Sequence, residues 1–440
     1  MNLRERFYSL AEEVTARALP SEVIVCGLRG EDSNYVRLNQ NCVRQAGHVR
    51  QIEFSLQTIM ARRHASAQCM LCGELNGDRE RLLELLSELR AQRDILEDDP
   101  YLLYATEVSS SEKITSEAPL HAARAVIAII EAAEGLDLVG FFASSRIYRG
   151  FANSLGQRNW FERPSFVFDW SCYAHGDKAV KSRYAGIEWD DEAMQRRMQA
   201  ARRDLDLLQR PPRTIKPGNY RAYLAPTAVA ELLEITAWGG FGLKSQRTRQ
   251  SPLIKLTDGL KVLDPRVHMV ENHEQGVAPG FTSAGFIKPP AVPLITEGRA
   301  SGCLVSPRSS QEYGIAVNTE HESPESLDLA PGDLPGEEVL ARLDTGLYIN
   351  NLWYCNFSDR NDWRITGMTR FACFWVERGE IKQPLEVMRF DDSLYALLGE
   401  RLLGLTQERD FILDASTYHE RSAASMRLPG VLVKGLALTL

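Results

Sequence analysis

The stretch GLYINNLWYCNFSDRNDWRITGMTRFACFWVERGEI, residues 346–381, decides how the chain is read. Residues 346–349 lead into Leu352-Trp353-Tyr354, and residues 371–376 form a continuous apolar and aromatic run between polar neighbours. Such a run fits a strand covered on both faces, although periodicity alone leaves a buried helix open. Glu377-Arg378-Gly379-Glu380 then supplies a turn, with Gly379 available for positive φ. Between the apolar runs, residues 356–364 are polar and expected as a loop, followed by Ile365-Thr366-Gly367-Met368-Thr369-Arg370. A long polar loop beside a buried strand is a place where function gathers; a solvated hairpin connection is the plain alternative.

Outward from this stretch, composition sets the bounds. A chain of 440 residues suits two or three domains. Hydrophobic residues make up 44% and charged residues 25%, the balance of an ordinary globular protein. A net charge of -8 argues against a dedicated nucleic-acid binder, which shows a basic domain or stripe. No apolar run approaches the roughly 20 residues of a membrane span. The opening MNLRERFYSLAEEV is charged and amphipathic, unlike a secretory signal. Eight cysteines without a repeated spacing read as reduced thiols. The expectation is a cytoplasmic protein without nucleic-acid or membrane partners.

Taken in order, residues 3–18 carry Leu3, Phe7, Leu10 and Val14 at helical spacing. Strands are expected at 21–27, at 35–38 and 42–49 around Asn39-Gln40-Asn41, and at 65–72. Ile52, Phe54 and Leu56 alternate with polar residues as in a half-buried strand. Helices follow at 78–95 and 121–134, a hairpin at 137–144 with 145–153, strands at 166–174 and 181–186, and a helix at 190–209. Pro211-Pro212 and Lys216-Pro217-Gly218 are stiff and turn-prone, the clearest boundary in the chain. Beyond them come a strand at 220–224 and a helix opened by Pro226, with Val229, Leu232, Leu233 and Thr236 on one side. A late helix at 393–405 and a final strand at 431–438 close the chain. The fold class is α+β: an N-terminal α+β domain with an antiparallel sheet (1–210), a linker (211–218), and a strand-rich C-terminal domain with a central helix (219–440).

Local chemistry names no enzyme. A zinc hydrolase needs histidines close in space, a general base and an open coordination position. His273-Glu274 and His321-Glu322 each offer a pair, but no second histidine follows within a helical turn or two. Cys69 and Cys72 lie three apart in an expected strand and point to opposite faces, so two buried thiols are expected. Neither nucleotide-binding glycine fingerprint is present. Gly239-Gly240-Phe241-Gly242 follows a helix and reads as a cap and turn.

The Gly-Leu-Tyr strand, the Thr366-Gly367 segment and the F-W-V-E-x-G-E run resemble the C-terminal half of the TldD/PmbA family, which contains gyrase modulators and peptide-maturation proteases. The likeness extends along the chain. It takes in Tyr35-Val36-Arg37-Leu38-Asn39-Gln40, the turn Asn153-Ser154-Leu155-Gly156, and Gly218-x-Tyr220 through Leu224-Ala225-Pro226, then Asp264-Pro265, residues 295–298 and residues 329–332. In the TldD branch the central helix carries H-E-x-x-x-H, and a cysteine near the C-terminus completes a zinc site. Registered on Pro226, those helix positions hold Glu231, Leu232 and Thr236 here, and Asp414-Ala415-Ser416-Thr417 stands where the cysteine is expected. The family's acidic D-E-G turn is altered to Glu274-Gln275-Gly276.

The chain thus looks like the PmbA (TldE) branch, and the resemblance implies no catalytic residue, metal ligand or cofactor of its own. Zinc is expected in a TldD-like partner, the two chains forming a heterodimeric peptidase for unfolded peptides. An extended peptide held as an added strand suits such a chamber. Arg370 and Thr369 are the expected polar contacts, with Asn350, Asn351 and Asn356 directed at peptide backbone; Arg370 paired with Glu377 or Asp359 is the plain alternative. Two other readings stay open: a homodimeric peptide-binding protein without catalysis, and a hydrolase with a metal site built from His268, His273 or His419 and nearby carboxylates.

Overall fold

The computed structural model describes residues 2–115, 120–176 and 178–439. The α+β class holds, with two sheets and the helices laid against them.

The first sheet is built from long antiparallel strands. Glu22–Asn39 pairs on one side with Cys42–Met60 and on the other with Asp137–Asn153. Arg63–Met70 extends it at one edge. Arg158–His175, Lys178–Gly186 and the short parallel strand Ser111–Ile114 extend it at the other. Four expected short strands are therefore two long ones, and the expected hairpin at 137–153 is a single strand. The turn at Gln40 and Asn41 is real: both take positive φ, 51° and 53°, as a tight hairpin demands. Asn153 closes the next hairpin, its Oδ1 accepting the amides of Leu155 (3.1 Å) and Gln157 (3.0 Å). Helices Leu3–Thr15 and Leu75–Ile95 cover one face through Phe7, Leu10, Leu82, Leu86 and Leu89. Helices Ala122–Ala132 and Asp191–Leu208 cover another part through Val126, Ile129, Met194 and Met198.

In the second sheet the pairings close a ring. Gly218–Leu224 lies parallel to Gly346–Asp359, which pairs antiparallel with Arg364–Glu377. That strand pairs with Arg389–Ser393, which touches Ser425–Leu438 at Phe390 and Leu438, and Ser425–Leu438 returns to Gly218–Leu224. A closed path leaves these strands few exposed edges. The central helix, Pro226–Ala237, has proline in its first turn and ends where Gly239 takes φ +73°. It buries Val229, Leu232 and Leu233 with Leu224, Ile349 and Val431.

Two expectations fail in this half. The polar residues 356–364 are mostly strand, closed by a short turn at 360–363, because Asn356 pairs with Thr366 and Asp359 with Arg364. The late helix at 393–405 is one turn, Leu394–Leu397, followed by strand Leu402–Leu413. A Cβ at Gly399 would come within 2.3 Å of the Tyr395 carbonyl, so only glycine allows the chain to turn there and pair with Val431–Val433.

The run at 371–376 explains itself. Cys373 and Trp375 belong to the core around the central helix, whereas Ala372 and Phe374 join the cluster of Phe168, Met194, Met198 and Leu205. One strand therefore faces two cores, and every residue from Ala372 to Val376 is buried.

Candidate functional site

The tips of the first sheet and the loop after Leu402–Leu413 enclose a cleft of about 710 Å³, lined by Arg37, Arg44, Phe141, Asp169, Lys181 and Thr417. Four strands supply its charges: Arg37 from Glu22–Asn39, Arg44 from Cys42–Met60, Asp169 from Arg158–His175, and Lys181 from Lys178–Gly186, whose Arg183 lies two residues on. Asp169 accepts from Lys181 Nζ at 2.5 Å and Arg183 Nε at 2.6 Å, and Arg183 Nη1 lies 3.9 Å from Glu234 Oε1 on the central helix. The Glu234 side chain keeps 47% exposure, and the partial desolvation around it together with Glu231 raises its carboxyl, with Arg183 opposing. Burial also raises Glu231, against the pull of Arg183 and Lys181, and Asp414 acts on Glu234 through space. Glu231, Glu234 and Asp414, far apart in sequence, thus share one electrostatic neighbourhood. Such a cluster can position a proton or a cationic group.

Of the helix positions registered to the family's motif, Glu231 lies among these charges and the other two face elsewhere. Leu232 is in the core. Thr236 is fully buried, donates to the Leu232 carbonyl (2.9 Å) and accepts the Trp363 indole N–H (2.8 Å). These residues do not fit zinc, which takes sulfur, imidazole or carboxylate ligands around an open position. Of the three registered positions, Glu231 alone carries a group that can bind a metal.

The hairpin residues expected to meet a peptide divide into two groups. Thr369 is buried, accepting the Met388 amide at 2.9 Å, and Asn351 is buried beside it. Both serve the hairpin itself. Asn350 donates from Nδ2 to the Lys181 carbonyl (3.2 Å) and to Asn351 Oδ1 (3.0 Å), while its own carbonyl accepts from Thr227 (2.6 Å). It ties the hairpin to the strand that lines the cleft. Asn356 is exposed. Arg370 makes neither expected ion pair: Glu377 is taken by Arg213 (2.6 Å), and Asp359 accepts the Asn361 amide. Its guanidinium instead lies over the rings of Trp353 (5.2 Å) and Phe371 (5.3 Å).

Sequence reasoning missed the exposed aromatics here. Trp353 and Tyr354 are 50% and 76% exposed. Phe371 takes φ +61° and Tyr354 φ +55°, and bulges at these points break the alternation that would have shown which face each residue takes.

The histidine pairs also divide. His321 is exposed, and Glu322 accepts the Lys244 amide at 2.9 Å. His268 accepts the Glu297 amide (3.3 Å), and His419 is exposed beside the Tyr418 ring. His273 is different. It is buried, and its side chain lies with Glu271 and Glu325, the three offering ligand atoms all within 4.8 Å of one another. The sequence pairs it with Glu274, but that residue lies exposed in the turn after strand Met269–Glu271, and the strand's last residue, Glu271, is the one beside His273. Burial pushes the Glu271 carboxyl up to about 8 and lowers the His273 imidazole. Of the Cys69 and Cys72 thiols, Cys69 is buried and Cys72, beyond the end of its strand, is exposed.

A family model described as the PmbA/TldA metallopeptidase C-terminal domain matches residues 217–440. Among solved structures, TldE from Thermococcus kodakarensis superposes with a TM-score of 0.80 at 14% identity, covering 99% of this chain and 100% of that one. A protein of Thermotoga maritima described as a candidate modulator of a DNA gyrase gives 0.73 at 15% identity, covering 99% of each chain. A Bacteroides thetaiotaomicron protein described in the same terms gives 0.74 at 14%, covering 99% and 98%. At these identities the structural likeness speaks to fold. No curated protein matches.

Proposed function

Because the chain belongs to the PmbA/TldD metallopeptidase family, we propose that it is the partner subunit of a two-chain zinc peptidase, without a metal at the family's helix. The likeness to TldE over nearly the whole length of both chains supports this reading. The observation that carries it is Thr236: the inward helix position is closed by a hydroxyl that holds the Trp363 indole, not left open for water. The partner supplies zinc and the general base. This chain supplies a wall, with the charged cleft and the exposed hairpin next to it.

In this reading an extended peptide lies along the hairpin, gaining backbone hydrogen bonds with little sequence preference. Arg370, Trp353, Tyr354 and Asn356 are the groups free to meet it, while Asn350, Asn351 and Thr369 hold the hairpin in place. Arg370→Ala is expected to lower peptide processing by the assembled complex about tenfold, the loss of one charge-assisted contact of ~1.4 kcal/mol. Assembly, read by size-exclusion chromatography, stays unchanged. Unchanged processing removes Arg370 from the peptide path.

The direct test is native mass spectrometry of the tagged chain drawn from its own host, followed by peptide hydrolysis with the recovered complex. A second chain of similar size carrying H-E-x-x-x-H, needed for hydrolysis, is the expected result. A homodimer that binds unfolded peptide without cutting it replaces this reading with a binding one. Hydrolysis by the chain alone overturns both.

A further inference from the structure

Beyond that reading, the buried group around His273 carries chemistry that the family's helix does not. His273 Nδ1 lies 2.8 Å from the Pro289 carbonyl. A carbonyl only accepts, so the proton sits on Nδ1 and Nε2 presents a lone pair. That Nε2 finds no hydrogen-bond partner among the described residues. Glu271 is fixed in the same manner: Oε1 accepts the amides of Glu325 and Ser326, both at 2.9 Å, and Oε2 has no partner. Both side chains are more than nine-tenths buried, at 0% and 3% exposure. His273 Nε2 lies 3.4 Å from Glu271 Oε1, so the two buried groups meet across one small space, which a proton on the carboxyl or a bound cation fills.

Glu325 completes the group. Lys288 Nζ bonds its Oε2, leaving Oε1 available. Metal binding displaces the Glu271 proton, and two carboxylates against the Lys288 ammonium then leave one net negative charge for the cation. The Glu325 side chain is 24% exposed, which gives a way in from solvent.

We propose that Glu271, His273 and Glu325 form a binding site for a borderline divalent cation, zinc foremost, held by one imidazole nitrogen and two carboxylate oxygens with water in the fourth position. Imidazole with carboxylates suits zinc and its neighbours in the first transition row and disfavours magnesium and calcium, which take oxygen alone. The Pro289 carbonyl behind the histidine and the two amides behind Glu271 are the outer partners that orient such ligands. The ligand atoms, within 4.8 Å of one another, close by small side-chain rotations to the ~3.4 Å spacing of tetrahedral bonds near 2.1 Å. The ion joins the end of Met269–Glu271 to the residue before Ser326–Leu329, two strands already paired in the sheet. It also fixes the loop whose Glu274 carbonyl receives Lys113 of the first half at 2.9 Å. Its role is structural.

The test uses the full chain without an affinity tag, stripped with a chelator and dialysed against zinc alone. Expected are about one zinc per chain by mass spectrometry of the metal, a rise in thermal midpoint, and a visible absorption band when cobalt replaces zinc. His273→Gln and Glu325→Gln, each checked for native circular dichroism, are expected to weaken zinc binding at least tenfold. Glu325→Gln is the safer variant because its side chain reaches solvent. Wild-type protein that stays folded and retains no zinc overturns the site, a proton on Glu271 then serving the pair in place of the ion. Full zinc binding in both folded variants also overturns it. Neither failure touches the partner-subunit reading, which rests on the central helix.

Discussion

Thr236 satisfies two neighbours with one buried oxygen, donating along its own helix and accepting from Trp363 on the hairpin turn. Thr236→Val keeps the shape and strands the indole N–H in the core, so it is expected to cost about 1–3 kcal/mol. Thr236→Ser keeps the oxygen and most of that stability; urea unfolding of the two variants side by side checks this. Glu22 is a second buried polar group of consequence. Its side chain is fully buried and accepts from Thr58, Arg90 and Arg93 at 2.6 Å each. Burial alone raises its carboxyl, but the bonds from Arg90, Thr58, the Leu19 amide and Arg93 outweigh this and hold it at about 2. A folded pKa below the unfolded 4.5 means the stabilisation is complete above about 4.5 and fades as pH falls toward 2. Glu22→Gln leaves Arg93 buried without its counter-charge and is expected to cost about 3 kcal/mol at pH 7. It also flattens the acid limb, read from denaturant midpoints between pH 7 and 2.5.

At the scale of elements, close backbone approach sets the geometry around the hairpin. A Cβ at Gly346 would stand 2.2 Å from the Arg221 carbonyl in the neighbouring parallel strand. Gly346→Ala therefore pushes apart the pair that seats the central helix and is expected to destabilise by about 1–3 kcal/mol, checked by thermal unfolding. Helices were the most legible elements. Pro226 and Gly239 mark the ends of the central helix, and Met194, Met198, Ala201, Leu205 and Leu208 all lie on the buried face of theirs. Strand length was less legible: polar residues within Glu22–Asn39 and Asp137–Asn153 look like breaks, yet cross-strand pairing carries the ladders through them. The apolar spacing of Leu394, Leu398, Leu402 and Leu405 imitates a helix, and Gly399 with its strand partners overrides it.

At the scale of the molecule, the strand Arg364–Glu377 is one of the places where the two halves share a core, with Phe281 and Val277 making others. Phe374 is fully buried among residues of the first half. Phe374→Ala is expected to cost about 3–5 kcal/mol and to loosen the halves from each other. Calorimetry checks this by whether unfolding becomes less cooperative.

The sequence by itself determined the α+β class, the ends of the main helices and the two-sided burial of residues 372–376. These follow from local periodicity, turn chemistry and residue identity, which need no knowledge of neighbours. Tertiary structure alone decided which polar residues meet. Glu234, Arg183 and Asp414 come together across the cleft, and Glu271 with Glu325 gathers around His273 in place of the adjacent Glu274. It also withdrew Thr369 and Asn351 into the hairpin, because bulges at Tyr354 and Phe371 change which side chains face outward. Alternation along one strand cannot register a bulge, and no local pattern records a contact made across two sheets.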